Sequence, residues 1–150
     1  MAHTYTSLLY HIVFATKQRQ PTIEESWRAQ LHQYLGGTVR GLGGVALEVG
    51  GVTDHVHLLV SLNQNHRIAD FMRELKASTS KWVNRSGLTP ARFEWQRGYG
   101  AFSVNQSLKE TVRRYIQRQE EHHRKQHFEE EFIALLDAHQ IEYDSKYVFD

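Results

Sequence analysis

Two histidines separated by one apolar residue, His55-Val56-His57, are the first residues of this chain that could carry out chemistry. They begin an apolar run that is typical of a β-strand. Successive side chains of a strand alternate between its faces, so both imidazoles should share one face, with Cα atoms about 6.5 Å apart. Two imidazoles held side by side can chelate one metal ion. The alternative is an edge strand with two solvated histidines, and the spacing alone does not decide between them.

A second pair of polar side chains, Tyr115 and Gln119, lies on a predicted late helix. Residues four apart stack on one flank of a helix, here beside the apolar stripe. A helix lying on the open face of the sheet would bring the carboxamide of Gln119 to the histidine pair, with Tyr115 one turn away. The alternatives are a packed tyrosine with a wet hydroxyl and a solvated glutamine. Asp54 adjoins the histidines but should point to the opposite face, so we do not predict it as a ligand.

The elements that must position these residues follow the order β-α-β-β-α-β and then two helices. This order is typical of an α+β protein with the ferredoxin-like split βαβ arrangement, an antiparallel sheet with two helices on one face. Capping boxes predict helix starts at Thr22, with Glu25, and at Ser107, with Glu110. The predicted strands cover 4–16, 45–49, 55–61 and 93–103, and the predicted helices cover 22–42, 67–84, 107–125 and 128–138.

Composition favours one domain in a chain of 150 residues. The absence of cysteine excludes disulfides, thiolate zinc sites and a thiol nucleophile. The N-terminus has no secretory pattern, and no apolar run approaches the ~18 residues that span a bilayer. We therefore expect no membrane partner and a location in a bacterial or archaeal cytoplasm.

The charges are distributed unevenly along the chain. Residues 1–127 hold 17 Lys and Arg against 10 Asp and Glu, a net of +7, whereas residues 128–150 hold one Lys against 7 Asp and Glu, a net of −6. A basic body with an acidic tail is compatible with a nucleic-acid surface on the body. The signal is weak by itself, because many proteins that bind no nucleic acid reach the same net charge.

Together these motifs resemble those of a known family. His55-Val56-His57 matches the HUH motif, histidine–hydrophobic–histidine, and Tyr115 with Gln119 and His122-His123 resembles the catalytic helix of single-tyrosine HUH transposases of the insertion sequence 200 type. The stretches 10–17 and 95–103 also resemble that family, and the resemblance runs from about residue 5 to 148. It implies one HUH transposase domain over 1–150, with a ferredoxin-like core (1–104), a tyrosine-bearing helix (105–126) and an acidic C-terminal helix and tail (127–150).

The resemblance implies an enzyme that cleaves and rejoins single-stranded DNA at the hairpins of element ends. Tyr115 would attack a phosphodiester and form a 5′-phosphotyrosine link, with Mg²⁺ or Mn²⁺ held by His55, His57 and Gln119. His122 and His123 are interpreted as structural or DNA-contacting residues rather than ligands. A homodimer is expected, in which the helix with Tyr115 can complete the partner's site. Candidates for DNA contacts are Lys17, Arg19, Arg73, Lys76, Lys81, Arg85, Arg113, Arg114 and Arg118.

Three other functions fit the same residues. A domesticated relative would process repeated genomic palindromes without mobilising itself. A non-catalytic module would bind nucleic acid on the same sheet, and a metal-dependent hydrolase would use a bound water in place of Tyr115.

Overall fold

Four strands form one sheet in the computed structural model, which describes residues 3–149. The strands are β1 (Leu8–Ala15), β2 (Val45–Gly51), β3 (His55–Leu62) and β4 (Gly100–Val104). The helices are α1 (Glu25–Gly41), α2 (Ile68–Arg85), α3 (Lys109–Gln117), α4 (Gln119–His122) and α5 (Phe128–Ala138). None of the helices within the described residues is long and apolar enough to cross a membrane.

The strand order in the sheet is β2-β3-β1-β4, and all neighbouring strands are antiparallel. Together with the chain order, this confirms the predicted ferredoxin-like split βαβ arrangement. The strand with the two histidines, β3, is central rather than at an edge. Its register with β1 sets Ala15 opposite His55 and Val13 opposite His57.

The two faces of the sheet differ in what covers them. The larger core lies between one face and helices α1 and α2, and its strand residues include Ile12, Phe14, Val56, Leu58 and Val60. Alternation along β3 therefore sends His55 and His57 to the other face. There a smaller core joins Val13, Ala15 and Phe102 to the apolar side of α5. The face with the histidines is thus covered by the helices that follow the ferredoxin-like core.

The ends of several elements differ from the sequence prediction. β1 begins at Leu8 rather than Thr4, and the predicted strand 93–103 is reduced to β4 and one isolated bridge between Trp95 and Thr16. The stretch before β4 contributes side chains rather than a strand, because Phe93 and Trp95 pack into the larger core.

Neither predicted capping box forms. α1 begins at Glu25, because the backbone N–H of Ile23 is bonded to the carbonyl of Thr53 in the β2–β3 turn. α3 begins at Lys109 without a side-chain cap, and the Asn105 side chain instead accepts a hydrogen bond from the backbone of Ser107. A contact with a distant turn replaces the predicted capping box at Thr22, and a contact two residues away replaces the one at Ser107.

The predicted continuous helix 107–125 is broken at Arg118, which has φ −100° and ψ 21°. Neither glycine nor proline stands near the break. After it, Gln119 begins α4 and is buried. The break therefore accompanies the burial of a polar side chain that points into the face carrying the histidines.

Helix α3 lies so close to β2 that only glycine fits at position 50. A Cβ atom there would be 2.6 Å from the carbonyl oxygen of Ile116 and 2.8 Å from its Cγ2. We expect Gly50→Ala to lower the free energy of unfolding by about 1–3 kcal/mol, because the clash is with backbone that must shift. Urea unfolding followed by circular dichroism measures this.

The matched control is Gly41→Ala in α1, where an added Cβ meets nothing within 4 Å. It should be neutral or stabilise by up to about 1 kcal/mol, because alanine is the better helix former. Equal stability of the Gly50→Ala variant and the wild type would show that α3 does not pack as described.

Candidate active site

One buried carboxylate lies at the centre of three imidazoles. Oε1 of Glu131 is 3.0 Å from Nε2 of His57, 3.3 Å from Nε2 of His55 and 3.2 Å from Nε2 of His123. His55 and His57 are 0% exposed and Glu131 is 2% exposed. The four side chains come from β3, from the residue after α4 and from α5, so the cluster joins the sheet to the C-terminal helices.

The two other predicted site residues reach the same carboxylate. The hydroxyl of Tyr115 donates to Oε2 of Glu131, and Nε2 of Gln119 donates to that oxygen at 3.1 Å. The amide oxygen of Gln119 lies 3.1 Å from Nε2 of both His55 and His123. The structure therefore brings together all four residues that the sequence singled out: His55, His57, Tyr115 and Gln119. They come together within one chain.

Each strand histidine also has a partner on its far nitrogen. Nδ1 of His55 is 2.7 Å from Oδ1 of Asp54. Nδ1 of His57 is 2.8 Å from Nε2 of His11, a buried residue of β1. Such contacts fix the orientation of an imidazole and decide which of its nitrogens carries the proton. Asp54 thus holds His55 from the side opposite Glu131.

Burial and neighbouring charges shift the pKa values of the buried histidines in opposite directions. Burial lowers the pKa of His57 to about 4 and that of His11 to about 3. Burial also disfavours a charge on His55, but the carboxylates of Asp54 and Glu131 outweigh it and raise its pKa to about 9. The cluster therefore combines a cationic His55 with a neutral His57.

The two groups that share a hydrogen bond, Glu131 and Tyr115, have pKa values that move apart. Burial disfavours the charge of Glu131, but hydrogen bonds from the three histidines hold its pKa well below the usual range. Burial and the nearby charge of Glu131 raise the pKa of Tyr115 above its usual value of 10.0. The tyrosine is consequently a neutral hydroxyl that donates to a carboxylate.

The donor set fits a divalent metal ion. One ligand atom from each of His55, His57, His123 and Glu131 can be chosen so that all four lie within 4.8 Å of one another. Imidazole and carboxylate together suit Mn²⁺ and Zn²⁺, and Mg²⁺ prefers oxygen ligands. The amide oxygen of Gln119, the third ligand predicted from the sequence, lies at the edge of the same cluster.

Two members of this cluster were not predicted as ligands. His123 was interpreted as a structural or DNA-contacting residue, yet it stands four residues after Gln119, a spacing that places both on one helix flank. Glu131 was not singled out. The sequence feature that could have identified it is its position on the apolar side of α5, between Phe128 and Phe132. A carboxylate buried there needs hydrogen-bonding partners.

The nine predicted DNA-contacting residues lie in different surroundings. Five make contacts within the chain: Lys17 with Glu94, Arg19 with Glu129, Arg73 with Asp70, Arg113 with Glu48, and Lys76 with the carbonyls of Gln96 and Gly98. Arg114 and Arg118 are exposed and flank Tyr115. Lys81 and Arg85 are exposed on α2, across the sheet from the cluster.

The family model that matches this chain and the solved structures that share its fold all describe transposases. A family model described as "Transposase IS200 like" matches residues 4–119, so His123 and Glu131 lie beyond the match. A candidate transposase from Deinococcus radiodurans R1 shares the fold with 23% identity and a TM-score of 0.63, over 79% of this chain and 96% of that chain.

A REP-associated tyrosine transposase bound to a REP hairpin also shares the fold. Its identity is 13% and its TM-score 0.60, over 82% of this chain and 73% of that chain. A search of curated proteins gives no match.

The charge on His55 predicts how the stability of the metal-free protein changes with pH. The pKa of His55 is higher in the folded chain than its ordinary 6.5. Its proton therefore stabilises the fold below pH 6.5, and this contribution is lost as the pH rises towards 9. We expect the contribution of His55 to the free energy of unfolding to fall by about 1–2 kcal/mol between pH 6.5 and 8. Stability should also fall below pH 6.5. His11 and His57 then gain protons in the unfolded chain at a pH at which they stay neutral in the folded chain, and this favours unfolding.

Urea unfolding in the presence of EDTA across this pH range measures both limbs. Asp54→Asn should flatten the alkaline limb, since it removes a partner of the charged His55. Asp70→Asn, which removes a surface carboxylate paired with Arg73, should leave the limb unchanged. A change in stability between pH 6.5 and 8 that is the same in Asp54→Asn and in the wild type would contradict the assignment.

Proposed function

We propose that this chain, which belongs to the family of IS200-like transposases, cleaves and rejoins single-stranded DNA through a covalent link to Tyr115. The observation that carries the proposal is the contact of the Tyr115 hydroxyl with a cluster of histidine and carboxylate donors that fits a divalent metal ion. A nucleophile beside a potential cation site is what phosphodiester cleavage by a tyrosine requires. The proposed substrate is DNA that carries hairpins at element ends.

In the proposed cleavage step the oxygen of Tyr115 forms a bond to phosphorus while the bond from phosphorus to the 3′-oxygen breaks. The proton of the hydroxyl passes to water, while Oε2 of Glu131, a weak base because its pKa is held well below the usual range, orients the hydroxyl by accepting its hydrogen bond. The leaving oxygen takes a proton from water and becomes a free 3′-hydroxyl. Rejoining is the reverse attack by the 3′-hydroxyl of a second strand. It needs no ATP, because the phosphotyrosine keeps the energy of the phosphodiester.

Tyr115 is a poor nucleophile without neighbouring groups, because its pKa is raised and the phenolate is scarce at neutral pH. Glu131 can serve two groups at once, since Oε1 faces the histidines and Oε2 faces Tyr115 and Gln119. A Mg²⁺ or Mn²⁺ ion held by His55, His57 and Gln119, with His123 and Glu131 as further donors, would polarise the scissile phosphate and neutralise developing charge. Burial of the cluster keeps these donors in fixed positions.

The proposed active site is complete within one chain. Tyr115 and both strand histidines contact Glu131 of the same chain, which supports a site assembled without a partner's residues. The homodimer predicted from the family resemblance stays a prediction. Its proposed role would be to hold two DNA strands together for the exchange rather than to supply a missing group.

The proposed path of the DNA runs along the exposed side of α3. Arg114 and Arg118 flank Tyr115 and carry guanidinium groups that suit bidentate contacts with phosphate. The remaining candidates, Lys17, Arg19, Arg73, Lys76, Lys81, Arg85 and Arg113, would serve an extended strand or the hairpin stem. Those on α2 can do so only if the DNA bends around to the opposite face of the sheet.

A second candidate is a domesticated relative that processes genomic palindromes. It is favoured by the fold shared with a transposase bound to a REP hairpin. Both candidates use the same chemistry at Tyr115. The DNA that flanks the gene distinguishes them, because a mobile copy has element ends on both sides.

The first test is a covalent adduct between the protein and DNA. The protein is incubated with Mn²⁺ and end-labelled single-stranded hairpin DNA from its own genomic flank, and the products are run on a denaturing gel. We expect a shifted covalent band that is lost in Tyr115→Phe and falls at least about 100-fold in His57→Ala.

Tyr143→Phe, which changes an exposed tyrosine of the C-terminal segment, is the matched control and should keep the adduct. Cleavage without an adduct, unaffected by Tyr115→Phe, would indicate a hydrolase that uses water. Binding without cleavage in the wild type would indicate a non-catalytic module.

The second test concerns the phosphate contacts beside the nucleophile. In a Tyr115→Phe background, Arg114→Ala and Arg118→Ala should each weaken hairpin binding and reduce the slope of log K against log salt by about 0.7–1. Fluorescence anisotropy at several salt concentrations measures both quantities. Arg40→Ala at the end of α1 should change neither, and an equal effect of all three variants would place the DNA elsewhere.

A further inference from the structure

His11 touches the proposed active site but takes no part in the chemistry described above. It lies on β1 opposite Leu59 and is 4% exposed. Its side chain shares a face of the sheet with His57, which pairs with Val13 two residues further along β1. A polar side chain in this position needs a partner, and its partner is a proposed metal ligand.

The two imidazoles of His11 and His57 meet edge to edge. Nε2 of His11 is 2.8 Å from Nδ1 of His57, the ring centroids are 5.1 Å apart and the planes differ by 26°. These values describe a short hydrogen bond between nearly coplanar rings. A hydrogen bond needs one donor and one acceptor, so only one of the two nitrogens carries the proton.

We propose that His11 is a positioning residue that supports His57 in both of its tautomers and reverses the direction of their hydrogen bond when a metal ion binds. The inference rests on the metal site of the proposed function. It adds a residue and a proton movement that the function itself does not require.

Without metal, the carboxylate of Glu131 sets the direction. Nε2 of His57 is 3.0 Å from Oε1 of Glu131, and an ionised carboxylate only accepts hydrogen bonds. Nε2 of His57 must therefore carry the proton. In a neutral imidazole this leaves Nδ1 as an acceptor, so Nε2–H of His11 donates to it.

With metal bound to Nε2 of His57, the direction must reverse. A neutral imidazole that ligates through Nε2 carries its proton on Nδ1. Nδ1–H of His57 then donates to Nε2 of His11, and the proton of His11 resides on its own Nδ1. The protons balance, because Nε2 of His57 releases one, Nε2 of His11 passes one to Nδ1 of His57, and Nδ1 of His11 takes one from water.

The surroundings of His11 allow this last step. His11 lines a cavity of about 290 Å³, together with Ser103, Thr111, Tyr115 and His139. A cavity of this size with polar groups in its wall has room for water. The partner of His55 differs, since the carboxylate of Asp54 only accepts and therefore supports one direction alone. The imidazole of His11 can donate or accept through the same nitrogen, Nε2, according to its tautomer.

The decisive experiment reads the tautomers directly. Protein labelled with ¹⁵N-histidine is studied by long-range ¹H–¹⁵N correlation NMR, first with EDTA and then with Zn²⁺, a diamagnetic probe that imidazole sites bind well. We expect the proton of His11 on Nε2 without metal and on Nδ1 with Zn²⁺, and the proton of His57 to move from Nε2 to Nδ1. A His11 tautomer that is the same in both states overturns the inference and leaves the proposed function intact.

Two variants and a control test whether His11 positions His57 for metal binding. His11→Leu should raise the Kd for Zn²⁺, measured by competition with a fluorescent chelator, by about 10–100-fold. His11→Gln places an amide donor and acceptor near the position of Nε2 and should recover most of this loss, which a purely structural role would not explain. His139→Leu changes another residue of the same cavity and should leave the Kd unchanged.

Circular dichroism confirms that each variant is folded, and the wild-type NMR result stands without them. An unchanged Kd in folded His11→Leu overturns the inference. Failure of Zn²⁺ to shift the ¹⁵N signals of His55 and His57 overturns the proposed metal site and this inference together. The two failures are therefore distinguishable.

Discussion

The packing on the sheet face that carries His55 and His57 depends on how the buried carboxylate of Glu131 is neutralised. Burying a charge costs several kcal/mol unless it is paired and hydrogen-bonded, and removing partners from such a group is strongly destabilising. Three imidazoles, one carboxamide and one phenol surround Glu131, and they come from β3, α3, α4 and the segment after α4. Each of these elements must be in place for the charge to be satisfied. The same convergence gathers the groups that the proposed chemistry needs.

The two faces of the sheet have different roles. Helices α1 and α2 cover one face with an apolar core, which holds β1 and β3 rigid. The other face carries the polar cluster, and α5 adds a smaller apolar core beside it. Rigid central strands suit a site whose ligands must keep their positions. The glycine at position 50 allows α3 to approach β2 closely enough for Tyr115 to reach the cluster.

Local sequence patterns predicted the framework well where one physical rule dominates. Alternation along β3 correctly placed His55 and His57 on one face, and the element order predicted the ferredoxin-like sheet. The capping boxes at Thr22 and Ser107 did not form, because a hydrogen bond to the β2–β3 turn and the side chain of Asn105 competed with them. The break at Arg118 had no local signal, since hydrogen bonds that join Gln119 to His55 and Glu131 accompany it. Glu131 was missed because it is one of three consecutive glutamates, 129–131, and such a charged run on a helix is usually solvated.

The sequence by itself determined the strand with the paired histidines, the helix with Tyr115 and Gln119, and the family resemblance, because these depend on residue type and short-range periodicity. Only the tertiary structure decided that His123 and Glu131 join them, that these side chains meet within one chain, and that His11 stands behind His57. These facts depend on the packing of segments far apart in the chain. The pairing of buried polar groups sets that packing, and no local pattern encodes it.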